Sequence, residues 1–315
     1  MEYGRWGRDI KRVRGLQPEQ AEGVDVAETD LAIENEIERI REEYRLREAD
    51  SREATVRSNL NEAHYFITVQ RERKVVQALK EVFGRAAIPE LRFLDVGCGT
   101  GAWVQRLVAL GARPENLYGI DLMEERIAIA RENSSPRIHF TTGSADRLPY
   151  PDEFFDVVFQ FMMFTSILDA GLKQRIGQEM VRVLKPGGRI FWYDYPPYLP
   201  GRILRMVGCR KGGEFYHVAP IPAREVRELF MGCSLVRKQK LTLHFKLAAL
   251  AKHMWLLCCL LEKMPMARTH LLVEIRKPIG SAGPVSSAAE ISPRTAPNFP
   301  GGASLSDPST KNDGR

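Results

Sequence analysis

An aspartate followed by glycines at alternate positions, Asp95 with Gly97, Gly99 and Gly101 in LDVGCGTG, is the densest chemical signal in this 315-residue chain. An apolar run precedes it and a helix-forming stretch follows. Without Cβ atoms, glycines there admit positive φ and let a ligand lie against the backbone N–H groups at a helix N-terminus. Glycine turns of this kind are shared among dinucleotide-binding folds and say little alone. Twenty residues after Gly101, a second apolar run ends at Asp121 in YGIDL, placed to accept from both hydroxyls of an adenosine ribose. A third run leads into GSADRLP. This puts Asp146 at the rim, where it can accept from an adenine amino group, with Leu122 and Met123 available to cover the base. Each acid taken singly also suits a helix cap or a solvated turn.

The elements that must position these residues are short and buried. LRFLDVG, LYGIDL, IHFTTG, FDVVFQF and RIFWYDY are apolar on both faces and alternate with helical stretches after Gly101, Met123 and Leu168. That pattern predicts parallel strands in a doubly wound α/β sheet. Two more strands are expected at 234–243 and 268–276, after helical stretches near 223–230 and 246–262, and KPGG at 185–188 reads as a helix-to-strand turn opening the fifth strand. Upstream, Leu31, Ile33, Ile37, Ile40, Tyr44 and Leu46 recur at helical spacing within 28–50, and a second helix is expected over 61–83. The first of these reads either as a solvated helix with a thin apolar stripe or as a partner-binding helix.

From DVGCGTG, the strand-end Asp121, ADRLPYPDEFFDVVF and EMVRVLKPGGRI, the stretch 91–194 resembles a class I S-adenosylmethionine-dependent methyltransferase, of the type-11 or UbiE-like domain group. The resemblance implies a mostly parallel seven-stranded sheet and S-adenosylmethionine as cofactor. It implies that Asp95 and the backbone of Gly97 hold the methionine part and Asp121 the ribose. Leu122 or Met123 would stack on adenine, while Ala145 and Asp146 read its edge. At the end of the fourth strand, Gln160, Phe161 and Met162 would face the methyl group. No acceptor signature stands there: the run Asp194, Tyr195, Pro196, Pro197, Tyr198 is interrupted by Tyr195 and follows the fifth strand, unlike the D-P-P-Y of amino-methylating nucleic-acid enzymes. Carbon and oxygen acceptors also lose a proton, for which Asp194 and His217 are the candidates. The remaining histidines, His64, His139, His244, His253 and His270, show no ligand spacing, and no metal is expected.

Organisation follows: a charged, partly helical extension over 1–60, a methyltransferase domain over 61–278 with cofactor half 91–194 and acceptor-side half 195–278, and a disordered tail over 279–315. The formal net charge is +6, and residues 195–278 carry 15 basic against 5 acidic side chains, net +10. An anionic small-molecule or lipid-linked acceptor, glycan-bearing or not, would be drawn by that field. A peripheral contact of 195–278 with the inner membrane surface suits its mixture of apolar and basic residues, and plain packing accounts for it equally. Nucleic acid ranks lower, because no RNA-binding module stands beside the charge. Other readings are an RNA or protein methyltransferase, a nicotinamide-dependent oxidoreductase, and a non-catalytic cofactor-binding protein that serves a partner through the N-terminal helix. A charged N-terminus, five cysteines without a paired framework and no run of about 18 apolar residues lead to the expectation of a cytoplasmic protein with free thiols.

Overall fold

The structure is a computed structural model, and it describes residues 26–49, 60–196, 220–250 and 253–279. Of the sequence expectations, His217, the basic cluster at Arg202, Arg205, Arg210 and Lys211, and the tail beyond Ile279 lie outside the described residues.

Two helices come first, α1 (Val26–Ala49) and α2 (Glu62–Phe83). Asn61 caps α2, its side chain accepting from the N–H groups of Ala63 and His64. Then follow β1 (Phe93–Val96), α3 (Ala102–Ala109), β2 (Leu117–Asp121), α4 (Glu124–Glu132), β3 (His139–Thr142), β4 (Phe155–Phe161), α5 (Ala170–Val183) and β5 (Leu184–Asp194). The chain continues through α6 (Ala223–Leu229), β6 (Ser234–Leu243), α7 (Phe245–Leu250), α8 (Trp255–Lys263) and β7 (Arg268–Arg276). All seven strands join one sheet in the order β3-β2-β1-β4-β5-β7-β6. Neighbours from β3 to β5 pair in parallel, and β7 runs antiparallel to both β5 and β6.

Alternation along the strands builds the two faces. Leu94, Val158, Ile190 and Trp192 point into a core shared with Ile33 and Ile40 of α1 and Leu172, Ile176 and Met180 of α5. Phe93, Val157, Phe159 and Phe191 point the other way, against Val75 and Leu79 of α2 and Trp103, Val104 and Leu107 of α3. Fully covered strands read as continuous apolar runs, which is why they were legible as such. A third, smaller core joins Ala63 and Phe66 of α2 to Leu243, Ala248, Cys258 and Ala267.

Two expectations need correction. KPGG is the bulged opening of β5 itself: α5 ends at Val183, Leu184 already pairs with Phe155, and regular pairing resumes at Arg189 opposite Val157. The reason is a partner the sequence did not advertise, since Gly187, at φ +78°, donates to the Lys277 carbonyl at 3.0 Å. The helix expected over 246–262 is two helices, α7 and α8.

Candidate functional site

Every strand from β1 to β4 delivers a pocket residue at its carboxyl end: Gly97 after β1, Asp121 and Leu122 at β2, Ser144 and Ala145 after β3, Phe161, Met162 and Met163 at β4. This is the edge at which parallel α/β sheets bind ligands. The glycine turn is shaped by close approach. Gly101 has φ +78°, and a Cβ there would stand 2.9 Å from the Phe140 ring. Four of the turn's N–H groups are engaged within the protein. Those of Gly97 and Cys98 donate to the Ile120 carbonyl, that of Gly101 to Cys98, and that of Gly99 to Asp121 Oδ2 at 2.8 Å. Gly97 of this turn lines the pocket. Asp121 Oδ1 accepts from the Met123 N–H at 3.0 Å, so each carboxylate oxygen keeps one acceptor position.

The two longest resemblance motifs turn out to be one structure. Glu179 of α5 accepts from the Leu148 N–H at 2.8 Å, and Arg182 donates to the carbonyls of Leu148 and Tyr150 and to Asp152. EMVRV therefore holds ADRLPYPDE in place, and with it Ala145 and Asp146. Asp146 is buried, and no donor among the described residues bonds to it.

At β4 the backbone makes a strained turn: Met162 has φ +65° and donates its N–H to the Tyr193 carbonyl at 2.8 Å. This turn aims Phe161, Met162 and Met163 at the pocket. Gln160, expected beside them, is fully buried elsewhere and donates Nε2 to Asp194 Oδ2 at 3.2 Å. Asp194 is itself fully buried, and its oxygens also accept from the Thr165 hydroxyl at 2.7 Å, the Thr165 N–H and the Tyr195 N–H. Burial pushes its pKa up to about 6 against those hydrogen bonds. The carboxylate fastens the β4–α5 connection to the end of β5. Met123 is also buried away from the pocket lining, whereas Leu122 lines it.

Two contributions were missed. One is the roof: Ile37, Ile40 and Tyr44 of α1 line the pocket, and the Arg126 guanidinium lies 4.3 Å from the Tyr44 ring centroid. The stripe Ile33, Ile37, Ile40 and Tyr44 was legible, but not that it covers a cavity; Leu31 and Leu46 face solvent. Buried charges fix the roof. Glu36 accepts from the N–H groups of Leu168 and Asp169, and Arg39, bound to Glu36 and Glu43, donates to the Ser166 carbonyl at 2.6 Å. Burial would raise the Glu36 carboxyl, but Arg39 and those N–H groups hold it below the usual range.

The other is Arg71 on α2. Its guanidinium lies 4.9 Å from the Phe161 ring centroid and 5.6 Å from that of Tyr193, and its buried Nε has no hydrogen-bond partner. Asp95 is buried nearby without a donor among the described residues; burial pushes its pKa up to about 7, which Arg71 opposes and Asp121 reinforces. Beyond Tyr193, His270 stacks on that ring at 4.8 Å, and burial followed by Arg71 and His244 drives its pKa down to about 3. Among the described residues no group of His, Cys, Asp and Glu has the arrangement of a metal site.

Residues 93–188 match a family model described as a methyltransferase domain. The demethylmenaquinone methyltransferase of Deinococcus radiodurans is 35% identical over 134 residues, 41% of this chain and 52% of that protein. The glycine/sarcosine/dimethylglycine N-methyltransferase of Actinopolyspora halophila is 34% identical over 109 residues, 34% of this chain and 19% of that protein. Among solved structures, magnesium protoporphyrin IX methyltransferase from Synechocystis aligns at a TM-score of 0.47 and 16% identity, over 68% of this chain and 86% of that one. The chain spans about half the length of the demethylmenaquinone methyltransferases it matches. The family match selects the methyltransferase reading over the nicotinamide-dependent one.

Proposed function

We propose, from a chain whose residues 93–188 match a methyltransferase domain, a class I S-adenosylmethionine-dependent enzyme that moves a methyl group to an apolar, ring-bearing small molecule or lipid-linked acceptor. Two observations support the cofactor part: the carboxylates of the buried residues Asp95 and Asp146 accept no hydrogen bond among the described residues, and Arg71 Nε is a buried donor without a partner. Buried polar groups are almost always hydrogen-bonded, and one left over calls for a partner such as a ligand or a water. Their chemistry fits an amino acid joined to an adenosine. Asp95 and the Gly97 carbonyl would take the ammonium, Arg71 the carboxylate, Asp121 the ribose through its remaining lone pairs, and Asp146 with Ala145 the adenine edge. Leu122 and Tyr44 would bound the base.

S-adenosylmethionine, when bound, supplies a methyl group already activated on a sulfonium. The protein's work is then alignment and exclusion of water. Phe161, Met162 and Met163 would wall the methyl end with apolar surface, and α1 closes the pocket from above. Asp194, committed to four hydrogen bonds, acts as a positioning residue for that wall. His270 is a poor proton acceptor while Arg71 and burial disfavour the imidazolium. For the proton that a carbon or oxygen acceptor loses, His217 remains our proposed base.

The acceptor class is supported by the aromatic and thioether lining and by the name of the Deinococcus radiodurans relative, whose acceptor is a demethylated quinone. The N-methylating relative matches over the same cofactor half, so the acceptor reading rests chiefly on the lining. Calorimetry with S-adenosylmethionine, S-adenosylhomocysteine and NADH tests the first part, and transfer of labelled methyl into lipid-extractable against aqueous acceptor pools tests the second. A chain that ignores both methyl-cycle ligands, or labels only the aqueous pool, overturns the respective part.

A further inference from the structure

Helix α8 turns an apolar face to solvent. Within WLLCCLLEK only Cys258 is buried, while Trp255, Leu256 and Leu260 are exposed, Leu256 at 73%. Met254 before the helix and Met264 after it extend the surface. Single exposed apolar residues are ordinary, but a contiguous group marks an interaction surface. Its underside is packed: Cys258 lies in the third core with Phe66 and Leu243, and the Trp255 ring stands edge-on to Phe66 at 4.7 Å. The outward face is thus held in shape.

Cations stand beside this face, and Glu62 lies 3.0 Å from His253 Nδ1 just before the helix. Lys263 closes the helix and is exposed. Glu262, the one acid of the helix, is raised by burial, which Thr242, Arg73, Arg268 and Lys74 oppose, and Arg268 donates Nε to the Glu262 carbonyl at 2.5 Å. Residues 195–278 as a whole carry net +10. Trp and Leu on one face beside Lys and Arg is the composition of helices that lie in a lipid interface. A second copy of the chain would set like charge against like, whereas an anionic bilayer meets both the apolar and the cationic components.

Placement ties the face to the site. β6 ends at Leu243 and β7 begins at Arg268, so α7 and α8 stand on the sheet edge where Gly97, Asp121, Ala145 and Phe161 line the pocket. We infer that α8 docks the protein on an anionic lipid surface, with the pocket edge turned toward the bilayer that holds an apolar acceptor. This rests on the acceptor class proposed above and deepens it.

The full chain should co-sediment with phosphatidylcholine vesicles containing phosphatidylglycerol, and less so at high salt, as screening requires. Leu256→Glu with Leu260→Glu should weaken that partition by at least about tenfold, and Lys263→Glu should weaken binding to the anionic vesicles at low salt. Should the double variant fail to keep the wild-type unfolding transition, quenching by brominated phosphatidylglycerol decides instead: wild-type tryptophan emission should be quenched, and the Trp255→Phe chain should lose most of that quenching. Failure to sediment with anionic vesicles overturns the inference. So does undiminished partition of a folded double variant, or a concentration-dependent dimer that the double variant abolishes, which would make a second copy the occupant. Cofactor binding is measured without vesicles. A chain that binds S-adenosylmethionine but no vesicles overturns the docking alone, and one that sediments but ignores the cofactor overturns the methyltransferase reading.

Discussion

The Arg71 guanidinium stands over the face of the Phe161 ring, 4.9 Å from its centroid, and its charge opposes the upward shift of the buried Asp95 carboxyl, which brings a cation from α2 toward that acid. If the pair receives the two charges of an amino acid, removing Arg71 should discriminate between ligands. Arg71→Ala should weaken S-adenosylmethionine by about tenfold or more, the worth of a charge-assisted hydrogen bond. Methylthioadenosine, which has no carboxylate, should bind the variant and the wild type alike. Calorimetry with both ligands checks this, and an equal loss for both would remove Arg71 from the cofactor site.

Asp95 gives a pH dependence with a definite sign. An ammonium needs the ionised carboxylate, and its pKa is about 7 in the free protein. Affinity for S-adenosylmethionine should therefore rise as pH is raised toward 7, by about tenfold per unit on the acid side, and flatten above. Asp95→Asn should abolish the slope along with most of the affinity.

The same shift acts on stability. Asp95 at about 7 and Asp194 at about 6 both lie above the ordinary carboxyl value, so the native state holds these protons more tightly than the unfolded chain. Their contribution is fully present below about pH 4 and is lost as pH rises through about 6 to 7. Thermal unfolding of the ligand-free protein along a pH series should show this component, and Asp95→Asn should reduce it.

Gly101→Ala should destabilise the fold by about 2–4 kcal/mol, combining left-handed backbone strain with a collision. The added Cβ meets Phe140 at 2.9 Å and Ala130 at 3.2 Å. Gly99→Ala, at φ +54° with open space beside it, should cost only about 1–2 kcal/mol. Urea unfolding of the two variants measures the difference directly.

Glu36→Ala should loosen α1 while leaving the sheet intact, because it removes the acceptor for the Leu168 and Asp169 N–H groups and the partner of Arg39. The expected cost is about 1–3 kcal/mol of docking, read as faster amide exchange over α1 with unchanged protection in β1 and β4.

Most of the sheet was legible because strands covered on both faces have to be apolar throughout, and because an acid or glycine at a strand end is conspicuous against such a background. Asp121, at the end of β2 and on the pocket wall, is such an acid, whereas Leu122 and Ala145, which line the same pocket, were named from the resemblance. Gln160 was misplaced for a related reason: strand alternation sends it to the face opposite Phe161, into the hold of Asp194, and the sequence shows the strand's end but not which neighbour claims each side chain. Arg71 and Tyr44 were missed because they reach the site from α1 and α2, and helical periodicity reports which face is buried without reporting against what. The fate of KPGG depended on Lys277, ninety residues away along the chain, a pairing no local pattern encodes.

The roof has a kinetic consequence. The floor of the pocket comes from residues 93–188, but its cover comes from α1, held by Glu36, Arg39 and Glu43 to the turn before α5. If the pocket holds the cofactor, α1 covers one side of the path by which a spent molecule leaves and its successor enters. Substitutions along the inner stripe of α1 would then change residence times without touching any atom that reacts.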